Sequence, residues 1–182
     1  MNERVIAVTG GHGELGRAVV AAALAQGLKV AVIDHATGQP VPQGVLELGG
    51  VDLTDPVAAT AAVAAVVKAF KRLDAVLNIA GGFVWQTVDD LKSAAGMGAY
   101  AASKSAVHRL TESLAEELKS TPVTVNAVLP SILDTPQNRK DMPDADPAQW
   151  VAPADLAAVM LFLASPQARA ITGALIPVTG RV

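Results

Sequence analysis

The chain of 182 residues contains no cysteine. Disulfides, a zinc–thiolate centre and a cysteine nucleophile are therefore excluded together. Aromatic residues make up only 3% although hydrophobic ones make up 51%, so the core must be built from Ala, Val, Leu and Ile. Small side chains of this kind let helices lie close on a sheet, as layered α/β packing requires. Positive charge is not in excess: a net charge of -3 offers no basic field to a nucleic-acid partner. His12, His35 and His108 lie far apart without ligand spacing, so no metal is expected. Long hydrophobic runs are also missing. The longest, Val57 to Val67, is Ala-rich, closes at Lys68 and is too short to span a bilayer. Met1 to Arg4 lead straight into Val5–Val8 without a signal-peptide pattern, so a cytoplasmic protein with no membrane partner is expected.

What is present alternates. Val5–Val8 reads as a strand buried on both faces, and Leu15, Val19, Ala22 and Ala23 recur at helical spacing over Glu14–Gln26, with Gly27 as the stop. Lys29–Ile33 and Val45–Leu48 follow as strands, and Thr54 is expected to cap a helix over Asp55–Phe70. Leu73–Ile79 is a fourth strand. Ala99–Lys119 is a long helix with Val107, Leu110, Leu114 and Leu118 along one stripe. Val123–Val128 is a strand, 130–149 a polar loop or lid, Ala154–Leu163 a helix opened by Pro153, and Ala174–Val178 the last strand. The order predicts a single domain over residues 1–182: a Rossmann-type, three-layer, doubly wound parallel sheet.

One unit is missing. Only Phe83 to Gly98 separate the fourth strand from the long helix, where a helix and another strand would need roughly 25–35 residues. Either the protein evolved without this central unit or the chain is a shortened form of an intact enzyme, with the deletion near 83–92. The second reading is preferred, because an interior strand removed from a parallel sheet leaves backbone groups unpaired on both sides.

Two groups of residues carry the chemistry. Thr9-Gly10-Gly11-His12-Gly13-Glu14-Leu15-Gly16 stands where a strand hands over to a helix. Gly10 permits the turn, Gly13 lets the backbone approach a pyrophosphate, Gly16 lets the helix pack close, and the helix N-terminus attracts phosphate. Asp34, 18 residues beyond Gly16 at the end of the second strand, is placed to take ribose hydroxyls and to repel a 2′-phosphate. NAD(H) is therefore favoured over NADP(H). Further on, Tyr100 and Lys104 lie four apart on one helix and so share a face. A free phenol is a sluggish acid–base catalyst near neutrality, and a neighbouring ammonium makes it more acidic.

With these motifs in this order, the chain resembles the short-chain dehydrogenase/reductase family. The resemblance also rests on Asp52-Leu53, Asn78-Ile79-Ala80-Gly81, Val125 to Pro130, Thr135-Pro136 and Ile171-Thr172-Gly173. It implies that Tyr100 passes the proton and that Lys104 tunes it and holds the nicotinamide ribose. Asp52 and Leu53 would flank adenine, Asn78, Ala80 and Gly81 would line the cofactor, and Pro130, Ser131 and Ile132 would meet the nicotinamide amide, with Thr135 close by. It also implies a small-molecule substrate and, if the chain is complete, a homodimer or homotetramer. Leu133 to Asp146 with Trp150, together with Gly96 to Tyr100 and Gly13 to Gly16, resembles the quinonoid dihydropteridine reductase branch in particular. Some positions depart from the family. Ser131 replaces the usual glycine, and the family's catalytic serine and helix asparagine fall in the missing unit; Thr87, thirteen residues before Tyr100, is read as no substitute. Dihydropteridine reductases are understood to act without that serine. The other functional class consistent with the sequence is a nucleotide-binding protein that has lost catalysis; the retained Tyr100 and Lys104 argue against it.

Overall fold

The computed structural model describes residues 4–82 and 98–181. The expected deletion near 83–92, Thr87, and Gly96 and Met97 lie outside the described residues. The first half has strands β1 (Val5–Thr9), β2 (Lys29–Ile33), β3 (Leu46–Leu48) and β4 (Ala75–Asn78), with helices α1 (Glu14–Ala25) and α2 (Pro56–Phe70). The second half has α3 (Gly98–Glu117), β5 (Ala127–Pro130), α4 (Pro136–Asp141), α5 (Pro153–Leu163) and β6 (Leu175–Val178). Every strand pairing is parallel.

β1 is buried along its whole length, which is why its sequence is unbroken apolar rather than alternating. Ile6 and Val8 face α1 and α5 with Val30, Val32 and Leu77, while Val5, Ala7, Ala31 and Ile33 face Ala62 and Val66 of α2. The result is the expected Rossmann-like three-layer fold. Among the described residues, however, the strands form two sheets rather than one. Four strands pair in the order β3-β2-β1-β4, and β5 pairs with β6 as a separate ribbon. Val128 and Val178 of that ribbon still pack on the α1–α5 core, so the two parts share one helical layer.

Three local expectations need correction. Asp55, not Thr54, caps α2: its carboxylate accepts the Val57 N–H at 2.8 Å, while the Thr54 hydroxyl and N–H both donate to Asp52. Pro56 explains the choice, because the residue before proline is driven into the extended conformation that an N-cap needs. The last-but-one strand starts at Ala127 rather than Val123. Asn126 uses its side chain to bridge the Ile171 carbonyl and the Ala174 N–H, and regular pairing begins only beyond this clamp. The stripe assigned to α3 is buried only in part, with Leu114 and Leu118 half-buried. Val107 and Leu110 are 49% and 63% exposed, and the buried residues of α3 are Thr111 and Ala115.

Candidate functional site

The bend between β1 and α1 is held by contacts that only glycine allows. At Gly10 φ is +67°, and a Cβ there would stand 2.8 Å from the Ala80 Cα in the turn after β4. At Gly16 a Cβ would collide with the Gly10 carbonyl and lie 2.7 Å from the Gly11 Cα. Gly13 is different: its nearest contact is an ordinary 3.4 Å to the Gly10 oxygen. It caps α1 without a side chain, so the first-turn N–H groups have no side-chain acceptor. An anion would find partial positive charge and bare amides there.

A cleft of about 630 Å³ opens in front of this bend. Gly10, Gly13, Glu14, Leu15 and Gly16 form one wall, and Asp34, Asp52 and Leu53 form another. Ala80 and Gly81 supply the floor, and Tyr100 and Lys104 close the far end. The Lys104 Nζ stands 5.4 Å from the centre of the Tyr100 ring and would lie 3.8 Å from a Cβ on Gly81. The phenol, the ammonium and the glycine bend therefore share one cavity, and the first turn of α1 within it, capped by no side chain, suits the phosphates of a dinucleotide.

The Asp34 carboxylate is fixed just beyond β2. Its two oxygens accept the N–H groups of His12 and Ala36, each at 3.0 Å. Partial burial works to raise its pKa, but these amides and the nearby His12 outweigh it and hold the carboxyl below its usual value. Asp52 is held low by the Thr54 hydroxyl and N–H.

Seven expected site residues do not line the cleft. Gly11 packs against Val32, where a Cβ would meet Cγ1 at 2.6 Å, and His12 turns its ring to Glu47. Asn78 and Pro130 end β4 and β5 with exposed side chains. The Ser131 hydroxyl donates to the Thr179 carbonyl, the Ile132 carbonyl accepts the Val151 N–H, and the Thr135 hydroxyl caps α4 at the Asn138 N–H. His35, Val51 and Gly82 reach the site unannounced by any spacing, and Ile79 and Leu133, which belong to motifs that carry the family resemblance, line it as well. Thr9 supports it from below, its buried hydroxyl accepting the N–H groups of Ile79 and Ala80 at 3.0 and 3.1 Å. Among the described residues no three His, Asp or Glu converge as a metal site, and no helix is long and apolar enough to cross a membrane.

A family model described as enoyl-(acyl carrier protein) reductase matches residues 85–180, more than half of the chain, and one described as the NAD dependent epimerase/dehydratase family matches residues 6–95. The chain belongs to the short-chain dehydrogenase/reductase family. A short-chain dehydrogenase/reductase from Serratia marcescens superposes with a TM-score of 0.83 at 25% identity, over 97% of this chain and 96% of that one. Galactitol 2-dehydrogenase of Rhizobium johnstonii is 41% identical over 90 residues, 44% of this chain, and the match spans only 35% of that enzyme's length. 2-(S)-Hydroxypropyl-CoM dehydrogenase 3 of Xanthobacter autotrophicus is 27% identical across 99% of this chain and 96% of its own. That match extends over 250 aligned positions, more than this chain possesses, so the relative carries sequence with no counterpart here.

Proposed function

We propose that the protein is an NAD(H)-dependent oxidoreductase acting on a small carbonyl, alcohol or imine. The observation that carries this reading is the presence of Tyr100 and Lys104 in the same cleft as the Gly10–Gly16 bend. The α1 N-terminus would hold the pyrophosphate, Asp34 the adenosine ribose and Lys104 the nicotinamide ribose. A nicotinamide dinucleotide bound there supplies or accepts the hydride. Tyr100 gives a proton to the substrate oxygen or nitrogen during reduction and recovers it during oxidation, and the Lys104 ammonium stabilises the phenolate between these steps.

The preference for NAD(H) over NADP(H) follows from the charge on Asp34, whose oxygens are already engaged as acceptors and would face a 2′-phosphate with like charge. We also infer a single domain that lacks one central helix–strand unit near 83–92. Its support is the division of the sheet between β4 and β5 and the extra sequence of the Xanthobacter relative. Assembly into a dimer or tetramer belongs to the same proposal, conditional on the complete unit.

The purified protein should quench or enhance NADH fluorescence on binding. Tyr100→Phe should leave that binding intact and lower turnover about 10²- to 10⁴-fold, the usual contribution of a general acid–base. Turnover undiminished in this variant would remove Tyr100 from the mechanism. A quinonoid dihydropterin is the substrate to test first. Leu133, at the head of the loop that resembles the pterin-reducing branch, lines the cleft. If only simple ketones or alcohols are turned over, that narrower assignment fails and the oxidoreductase reading stands.

A further inference from the structure

We propose that Glu47 on β3 is a specificity-determining residue for the nucleotide, acting through His12; this rests on the cofactor reading above. His12 joins two carboxylates. Its backbone N–H donates to Asp34 Oδ2 at 3.0 Å, and its ring Nε2 lies 3.2 Å from Glu47 Oε1. The geometry follows from the sheet. Val32 of β2 is paired with Glu47 of β3, and Gly11 rests on Val32 so closely that no side chain fits between them. The bend therefore lies across β2, and the next residue, His12, reaches the strand beyond. Its imidazole is only 8% exposed and the Glu47 side chain 27%.

This pairing has two consequences for the nucleotide. It fixes the His12 amide against Asp34, so the carboxylate that takes the ribose keeps its orientation. It also engages the one imidazole of the glycine bend with an acid. Released from that acid, the ring N–H of His12 would be a ready hydrogen-bond donor to a 2′-phosphate. Glu47 thus adds to Asp34 a second means of rejecting a phosphorylated ribose. It needs no contact with the nucleotide, and acts as a positioning residue.

The test is the ratio of dissociation constants for NADPH and NADH, measured by fluorescence titration. Glu47→Ala should tighten NADPH and loosen NADH, shifting the ratio roughly three- to tenfold toward NADPH, the scale of one accessible charge contact. Glu47→Gln, which keeps the shape and a ring acceptor, should shift it in the same direction by less and covers the case in which the alanine variant fails to fold. His12→Ala combined with Glu47→Ala should abolish the gain for NADPH. Equal weakening of both nucleotides, or a gain that persists without His12, would overturn the inference. Failure of the unsubstituted protein to bind either nucleotide would instead overturn the cofactor reading.

Discussion

Single side chains fix the ends of the strands that build the cleft. Asp74 accepts the Val5 N–H at 2.7 Å and a two-point contact from Arg72 at 2.6 and 2.9 Å, tying the start of β1 to the start of β4. The Arg72 hydrogen bond first, then the Val5 amide and the charges of Arg72 and Arg4, hold the Asp74 carboxyl below its usual value against its partial burial. Because the folded value is depressed, the stabilisation is present at pH above the ordinary aspartate range and is lost as pH falls through the folded value. Asp74→Asn should therefore flatten the fall in thermal stability on acidification below about pH 4, while lowering stability near neutrality. Unchanged acid sensitivity in a melting series would remove Asp74 from that role. Gly16→Ala should abolish NADH binding, since the added methyl and the Gly10 carbonyl cannot occupy the same space. At this scale the sequence was legible where chemistry forces the residue type: Gly10, Gly13, Gly16, Asp34, Tyr100 and Lys104 all line one cleft. It was opaque where a contact spans distant elements. Nothing near Glu47 in the chain announces His12, and Thr9 looks like any strand-end threonine until the Ile79 and Ala80 amides arrive.

The elements themselves follow local rules with two informative exceptions. β2 is read to the residue because Lys29 and Asp34 flank a run of four buried side chains. The cap of α2 shifted by one position because proline restricts its predecessor, a constraint stronger than the general preference for threonine. Asp55→Ala should cost about 1 kcal/mol in denaturant unfolding, and Thr54→Ala much less. The other end of α2 stops on Lys71, a residue with a Cβ in the left-handed region at φ 62°. Lys71→Gly should raise stability by about 1 kcal/mol, and a loss instead would mean that Lys71 makes a contact worth more than its strain. The α3 stripe was misread for another reason. Helical periodicity reports which side chains share a face, and it is silent on whether a neighbour covers that face. Val107 and Leu110 stay in solvent while the smaller Thr111 and Ala115 carry the packing.

Across the whole molecule, the parallel α/β class was readable from alternation alone, whereas the division of the sheet was visible only as a shortage of residues between Asn78 and Tyr100. Val76 of β4 is 41% exposed, as are Val63 and Val67 of α2 at 40% and 42%. These are apolar side chains of the kind that a further layer ordinarily covers. Inserting between Gly82 and Gly98 the part of the Xanthobacter relative that has no counterpart here should raise the melting temperature by about 5 °C or more and reduce binding of hydrophobic dyes. An unchanged melting curve would indicate that the shorter chain is already complete. The two parts of the sheet also divide the labour of the site. Among the described residues, the glycine bend, Asp34 and Asp52 come from the stretch before Gly82, while the β5–β6 half supplies only Leu133 to the cleft. On the proposed reading, the grip on the coenzyme and the choice of reactant are carried largely by separate segments. Exchange of residues 127–181 between related genes could redirect catalysis to new compounds while leaving the grip on the dinucleotide as ancient as the fold.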